Sequence, residues 1–419
     1  MKRTKILLSA FCLLYLSSNA QLVNSDQIIT LTANSLVYVS DAFINTKGTV
    51  FNDGKLEVTG HFTNNDLSSF VFDNSSTGVV ALSGGTQEIG GANKTIFPDL
   101  ALSGNGDKVL KVNTDVAGVL SLGNKQFHAN EFTIHVLNPS PNAIIRSDDI
   151  STPGTGFIST DLKGNLVRNT NTNSNYMFPL GSSVPNPAIA SINILYRPVH
   201  FKPEDSNNNN TFSTSLLNYD PTNDGFDKTK KSVDIRTVSN KYYYMMSQKT
   251  GTSNVDVTFY QNLTVDQTYS QLVNWSNFLQ WEKATPSSIS TGTFGDDLNG
   301  GMLNRSISYG FLLPFQNLPV TFSSDIDVTN PFTFYNAFSP DGDNKNDTWT
   351  INNIELYPEN KLSIFNRWGD EVLNVKGYTN DKAWDGGNLQ SGTYYYILTA
   401  TIENQPRVFK GFITMINKN

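Results

Sequence analysis

The sequence predicts an all-β protein, and three observations carry that prediction. Apolar and polar residues alternate at period two in short runs, clusters of Gly, Asn, Asp and Ser punctuate those runs, and no stretch of helical length repeats at 3.6. Composition agrees, since charged residues make up only 16% of the 419 while glycine alone occurs 30 times. Strands and turns tolerate that balance better than helices, whose exposed faces need charged side chains. A chain of this length suits two to four domains.

Residues 1–20 have the pattern of a secretory signal peptide. Met1-Lys2-Arg3-Thr4-Lys5 is positive, Ile6 to Leu16 is an apolar core of about eleven residues, and Ser18-Asn19-Ala20 offers small residues for cleavage. The core is too short to span a bilayer, which takes about 20 residues. Bulky Phe11 before Cys12 argues against lipid attachment there. Cleavage after Ala20 would remove the chain's one cysteine, so a mature form has no internal disulfide and depends on sheet packing and any bound metal. Loss of Lys2, Arg3 and Lys5 would also take the formal charge from −7 to −10. That acidity argues against a nucleic-acid partner, which wants a basic face. No later segment resembles a transmembrane span.

From 21 to 155 the strands are short. Leu56, Val58, Gly60 and Phe62 share a period-two face, as do Val116, Gly118, Leu120 and Leu122, and Phe132, Ile134 and Val136. Turns fall at Asn52-Asp53-Gly54, Ser83-Gly84-Gly85, Ile89-Gly90-Gly91 and Ser103-Gly104-Asn105-Gly106. A parallel β-solenoid and an antiparallel sandwich both fit. Gly48 to Val58 resembles the degenerate repeats of exported Bacteroidetes surface proteins, which favours a solenoid of about five or six rungs.

Residues 156–316 read as a β-sandwich region. Strands are expected at Tyr242 to Met246, Val255 to Tyr260 and Asn277 to Glu282. Tyr176 to Gly181 and Tyr196 to Val199 resemble phrases common in large exported proteins of the same bacteria. Residues 317–330, with Pro319 and Pro331 around small polar residues, read as a linker.

The stretch 331–419 alternates again. Leu362 and Ile364 share one face, Tyr394, Tyr396, Leu398, Ala400 and Ile402 another, and Val408 to Ile416 forms a last strand. This spacing predicts an Ig-like antiparallel sandwich. Trp349, Trp368 and Trp384, three of the chain's five tryptophans, are expected to fill its core. Five phrases follow in order: Asn336 to Trp349, which contains Ser339-Pro340-Asp341-Gly342, then Ile364 to Gly369, Trp384 to Gly387, Ser391 to Tyr396, and Lys410 to Ile416. Together they resemble the gliding-motility-associated C-terminal domain of Bacteroidetes, the type B sorting domain of the type IX secretion system. The resemblance rests on Asn336, Phe338, Pro340, Gly342, Asp347, Arg367, Trp368, Gly369, Trp384, Asp385, Gly386, Gly392, Tyr394, Lys410 and Gly411. It implies an address at the cell surface or beyond it, with the outer-membrane type IX machinery as partner.

Catalytic signatures are missing. His61, His128, His135 and His200 match no metal spacing, and neither a nucleophile elbow nor a phosphate loop occurs. Asp148-Asp149 and Asp296-Asp297 are adjacent pairs in loop contexts, and strand neighbours face opposite ways, so neither pair spans a cleft as glycoside hydrolysis requires. Asp341, Asp343, Asn346 and Asp347 form the best metal candidate, an oxygen-rich Gly-containing loop suited to calcium. An Asx-turn explains the same residues, and Lys345 occupies a ligand position. Asp220 to Asp227 is a weaker version. Arg367 has two readings, a stack or ion pair inside the domain and a contact with the secretion apparatus. The chain therefore reads as a non-enzymatic exported protein of adhesin or structural type. The alternative is a carbohydrate-binding or polysaccharide-degrading module, with Trp275, Trp281 and Tyr269 as its aromatic candidates.

Overall fold

The computed structural model describes residues 5–7, 20–67, 70–146, 155–189, 193–206, 209–299, 301–312, 314–325, 330–402 and 405–416. Strands take up 50% of the chain and helices 5%, the all-β class expected. Most of the leader-like segment lies outside the described residues, as do Asp148 and Asp149. The chain divides into two units, residues 1–232 with 237–324, and 325–419 with 233–236.

The first unit opens as a parallel β-solenoid of about seven turns. One face stacks Leu22–Leu31, Phe43–Asn52, Phe62–Asn64, Gln87–Gly91, Lys108–Leu110, Gln126–His128 and Phe157–Ser159. A second stacks Leu36–Val39, Lys55–Val58, Val79–Leu82, Asp99–Leu102, Leu120–Ser121 and Ile144–Ile145. A third begins at Thr95–Phe97 and continues through Thr114–Val116, Thr133–Val136 and Asn165–Thr170. Register sets like upon like: Leu56, Val80, Leu100, Leu120 and Ile144 form one buried column. Phe43 and Phe62 stack with ring centroids 4.8 Å apart. The alternating residues singled out in the sequence point into this core, with Leu56, Val58, Phe62, Val116, Leu120, Leu122, Ile134 and Val136 all buried. The count exceeds five or six because Phe157–Ser159 and Asn165–Thr170 supply a last rung beyond residue 155.

At that rung the column Phe97, Val116, Val136 ends on a fully buried arginine, Arg168. Its guanidinium donates to the carbonyl oxygens of Met177 at 2.7 Å, Ser140 at 2.9 Å and Pro141 at 3.1 Å. It also lies 5.3 Å from the Tyr176 ring centroid. Burial holds its pKa down to about 10.

The third face then runs on without a break. Asn165–Thr170 pairs antiparallel with Asn210–Leu217, and Tyr243–Thr250, Leu318–Asp325, Gln271–Trp275 and Trp281–Lys283 complete the sheet. A second sheet of Tyr176–Phe178, Val199–Pro203, Val255–Gln261, Arg305–Phe311 and Ser288–Thr291 packs on it. Ring pairs join the two layers: Phe201 with Phe212 at 5.4 Å and Tyr244 with Phe259 at 5.0 Å. In this sandwich Arg197 and Asp266, both without solvent exposure, make a bidentate pair (Nε to Oδ2 2.7 Å, Nη2 to Oδ1 3.1 Å).

Two expectations need correction. Most of the proposed linker 317–330 that is described is the strand Leu318–Asp325, whose Val320 and Phe322 are buried between Tyr243–Thr250 and Gln271–Trp275. The alternation of Val320 and Phe322 outweighed the break suggested by Pro319. Asn277 to Gln280 is a hairpin turn between Gln271–Trp275 and Trp281–Lys283, with Leu279 at φ 57°, so it does not begin a strand.

The second unit is a five-stranded sheet in the order Ala337–Phe338, Gln405–Met415, Gly392–Ile402, Asn360–Phe365, Glu371–Lys376. It is antiparallel except at the short first strand. A ribbon of Thr333–Phe334 and Ile351–Asn352 covers its inner face, where Phe334 and Trp349 meet Tyr396 at 4.7 and 5.0 Å. Tyr394, Tyr396, Leu398, Ala400 and Ile402 line that face, all buried as their alternation required.

Candidate functional site

The landmark residues of the C-terminal unit fall into three structural roles. The first is core. Trp349 and Trp384 bridge backbone to backbone (Trp349 N–H to Trp384 O, 2.8 Å), and the Tyr378 hydroxyl donates to Trp349 O while accepting from Trp384 N–H. Burial pushes the Tyr378 phenol up to about 12. Phe338 and Tyr394 are buried beside Trp384, with rings 5.3 Å away in each case. The Asn336 carbonyl accepts from Thr414 N–H. Gly411 leaves room for the Tyr396 ring, because a Cβ there would sit 2.5–2.7 Å from its atoms.

The second role is the acidic loop after Pro340. One carboxylate oxygen from each of Asp341, Asp343 and Asp347 lies within 4.8 Å of the others. Asp347 is the hub: it accepts from the backbone N–H of Asp341, Gly342 and Asn344 at 3.1, 2.8 and 2.8 Å. Asp343 accepts from Lys345 N–H at 2.8 Å. Gly342, Asn344 and Asn346 all have positive φ (77°, 63° and 53°), which is why glycine and asparagine alternate here. Asn346 joins the loop through its carbonyl, which accepts from Ser339 N–H. The Asx-turn geometry is therefore present, and three converging carboxylates suit a hard cation as well.

The third role is display. Asn366 closes a tight turn by accepting from Trp368 N–H at 2.9 Å and Asp370 N–H at 3.0 Å, and Gly369 takes φ 87°. That turn holds Trp368 out, 81% exposed. The expectation that Trp368 belongs to the core is overturned, because its place in this turn leaves the indole in solvent. With about 200 Å² of side chain mostly in water, roughly 4 kcal/mol of burial is forgone. Arg367 is exposed too, and among the described residues it makes neither an ion pair nor a ring stack. Asp385 serves its turn by accepting from Gly387 N–H, and Gly386 at φ 81° passes close to Met415. Gly392 begins its strand, and Lys410 points outward from the last one.

Elsewhere the structure spends most candidates on scaffolding. In the loop 220–227, Asp220 caps a short 3₁₀ turn and pairs with Lys228, while Asp224 takes Lys163, Tyr219 and Tyr243. Trp281 and Tyr269 are buried, and Trp275 packs on Phe226 and Trp281 at 5.6 and 5.5 Å, so these aromatics form core and no platform. His135 bonds Asn169 on the third solenoid face, whereas His128 lies on the first.

One feature escaped the sequence reading because its residues lie far apart in the chain. A cleft of about 430 Å³ on the first unit is lined by Asp107, Asn124, Gln126, Thr155 and Asp296, with Phe157, Ile194 and Leu298 as its apolar part. Asp297 is turned fully inward, accepting from Asn262 Nδ2 and from Asn299 and Gly301 N–H, which leaves its neighbour Asp296 exposed at the cleft. His128 bridges Ser159 (3.0 Å) and Asp107 (3.5 Å). Ser159 is only 2% exposed, so this string presents no nucleophile to a substrate.

The geometry thus defines a protein class: an all-β chain whose solenoid-and-sandwich body precedes a separately cored β tail that displays a tryptophan. Residues 332–415 match the family model of the CHU_C type IX secretion signal domain. The chain accordingly carries a sorting domain that routes it through the type IX secretion system as a secreted protein. No curated protein and no solved structure matches the chain. Among the described residues no helix is long and apolar enough to cross a membrane.

Proposed function

We propose that this is a non-enzymatic surface protein of adhesin or structural type. The signal domain delivers it, and the solenoid-and-sandwich body is the part presented outside. The observation that carries this reading is the unbroken third sheet, which makes one body of solenoid and sandwich and gives a disulfide-free chain a stiff, polar-faced extension. Deleting residues 331–419 and fractionating the producing cells tests the routing. Retention inside the envelope is expected, and normal surface delivery of the shortened chain overturns it.

The cleft favours a second reading, glycan binding. Two carboxylates and two amides beside an apolar wall match the hydroxyls and C–H face of a sugar. A glycan array with the wild-type chain and the Asp107→Asn/Asp296→Asn variant decides between them. Sugar binding lost in the variant supports a lectin-like adhesin, absence of binding removes this reading, and depolymerisation of any polysaccharide would overturn the non-enzymatic assignment.

A further inference from the structure

We propose that the outward face of the C-terminal sheet, with Trp368 at its margin, is the surface by which the signal domain docks on an acidic protein surface of the type IX machinery. The inference rests on the routing reading and adds where recognition occurs. Three adjacent strands place Phe365, Tyr395 and Phe412 directly opposite one another. Because strands lie about 4.8 Å apart, the three form a row about 10 Å long. Tyr395 and Phe412 are 50% and 52% exposed and Trp368 is 81% exposed, on a sheet whose other face already supplies the core.

Basic residues border this row. Lys410 stands beside Ile397 one row along, and Lys361 pairs with Lys376 in the row beyond. All three lysines are exposed, and none makes an ion pair among the described residues. The acidic group opposite Phe365 is Glu371, which is held by Asn374 and Ser363 and feels the charge of Lys361, so the face carries three cations to one carboxylate. A basic, aromatic face on a chain of net charge −7 is a local inversion of sign. An acidic receptor surface would repel most of the molecule and attract this face, which sets orientation as well as affinity. Exposed Trp and Tyr are also among the side chains that dominate recognition energies in protein interfaces, and here the lysines lie to one side of them. Three strands by three rows cover about 300 Å², below a standard interface, which suits a cargo that must be released after transit.

The test is export of the full-length chain from the producing bacterium, scored as the surface and medium fraction against the envelope-retained fraction. Two variants alter the face: Trp368→Ser/Tyr395→Ser/Phe412→Ser, and Lys361→Glu/Lys410→Glu. Lys382→Glu, on the 3₁₀ turn Asn380–Lys382, is the charge control. Each purified chain is also melted. The proposal expects both face variants to lose at least tenfold in export with Tm within about 2 °C of wild type, and the control to export normally. The lysine variant touches no buried residue, so it decides the question if the aromatic variant proves unstable. Normal export of the lysine variant, while deletion of 331–419 blocks export, overturns the docking face and leaves the routing standing. Normal export of the deleted chain overturns both.

Discussion

Replacing Arg197 by leucine removes the positive half of an ion pair that has no access to water. In the wild type the guanidinium offers Nε and Nη2 to the two carboxylate oxygens of Asp266, and Asn262 N–H adds a third donor at 2.8 Å. Arg197→Leu leaves that carboxylate with one backbone donor and the nearby charge of Lys241 in a buried sandwich core. Breaking a buried pair from one side costs about 3–5 kcal/mol, whereas replacing both partners by apolar groups is often close to neutral. In Arg197→Leu/Asp266→Leu, Asn262 N–H loses its acceptor and the Tyr196 carbonyl loses its Nη1 donor, a penalty of about 1–3 kcal/mol. Urea denaturation of the full chain, followed by tryptophan fluorescence, to which Trp275 and Trp281 contribute from the sandwich, reads both. The single variant should lose about 3–5 kcal/mol and the double variant should recover about half of it. A single-variant loss below about 1 kcal/mol, or a double variant as unstable as the single, refutes the claim that desolvation governs this pair.

Other consequences are simpler to measure. His200, with no hydrogen-bond partner for Nδ1 among the described residues, has its pKa pushed down to about 4 by burial and by the charge of Arg168. The unfolded chain takes up that proton near pH 6.5, so the contribution is intact above 6.5 and is lost as pH falls toward 4, by at most about 3 kcal/mol. His200→Phe should flatten the fall in Tm between those values, and an unchanged profile would count against the assignment. Calcium at 100 times its dissociation constant should stabilise the C-terminal unit by about 2.7 kcal/mol if Asp341, Asp343 and Asp347 bind it. Asp343→Asn should abolish that response, and a melt indifferent to both calcium and chelator leaves the loop as an Asx-turn alone. Gly411→Ala should cost about 1–3 kcal/mol, because its methyl group meets the Tyr396 ring. Denaturation of the variant checks this, and a neutral result would mean the ring moves freely.

Legibility followed the range of the interactions. Period-two alternation is local, so it groups Leu56 with Val58, Ile134 with Val136 and Tyr394 with Tyr396 on single faces, and each of these residues is buried. Turn chemistry is local too, and Gly342, Asn344 and Asn346 carry the left-handed backbone that their identity suggests. What stayed hidden depends on partners distant in sequence. Asp266 finds Arg197 only through the sandwich, and Asp107 shares a cleft with Asp296 only because separate segments converge. Val320 and Phe322 alternate inside a segment of linker-like composition, and it is their pairing on both sides that makes it a central strand. Trp368 failed for a different reason. Hydrophobicity predicts burial on average, but the Asn366 turn determines where the ring points.

The end of the solenoid shows why its sandwich is more than an appended module. A stack of parallel rungs leaves its last strand with unpaired N–H and C=O groups and an open cross-section of apolar side chains. Here the strand Asn165–Thr170 meets that demand by switching partner orientation: parallel to Thr133–Val136 on one side, antiparallel to Asn210–Leu217 on the other. Arg168, at the position where the column would otherwise continue in aliphatic residues, gathers the carbonyls of Met177, Ser140 and Pro141 while Tyr176 and Phe178 cover it. Both devices act on the same strand, so the cap and the solenoid's final rung depend on each other. Truncating the chain after residue 155 would therefore expose the rung Gln126–His128 and Thr133–Val136 as a bare edge, and such a fragment should aggregate while the full body stays soluble. Size-exclusion chromatography of the two distinguishes the cases, and a monodisperse 21–155 fragment would show that the rungs close without the sandwich.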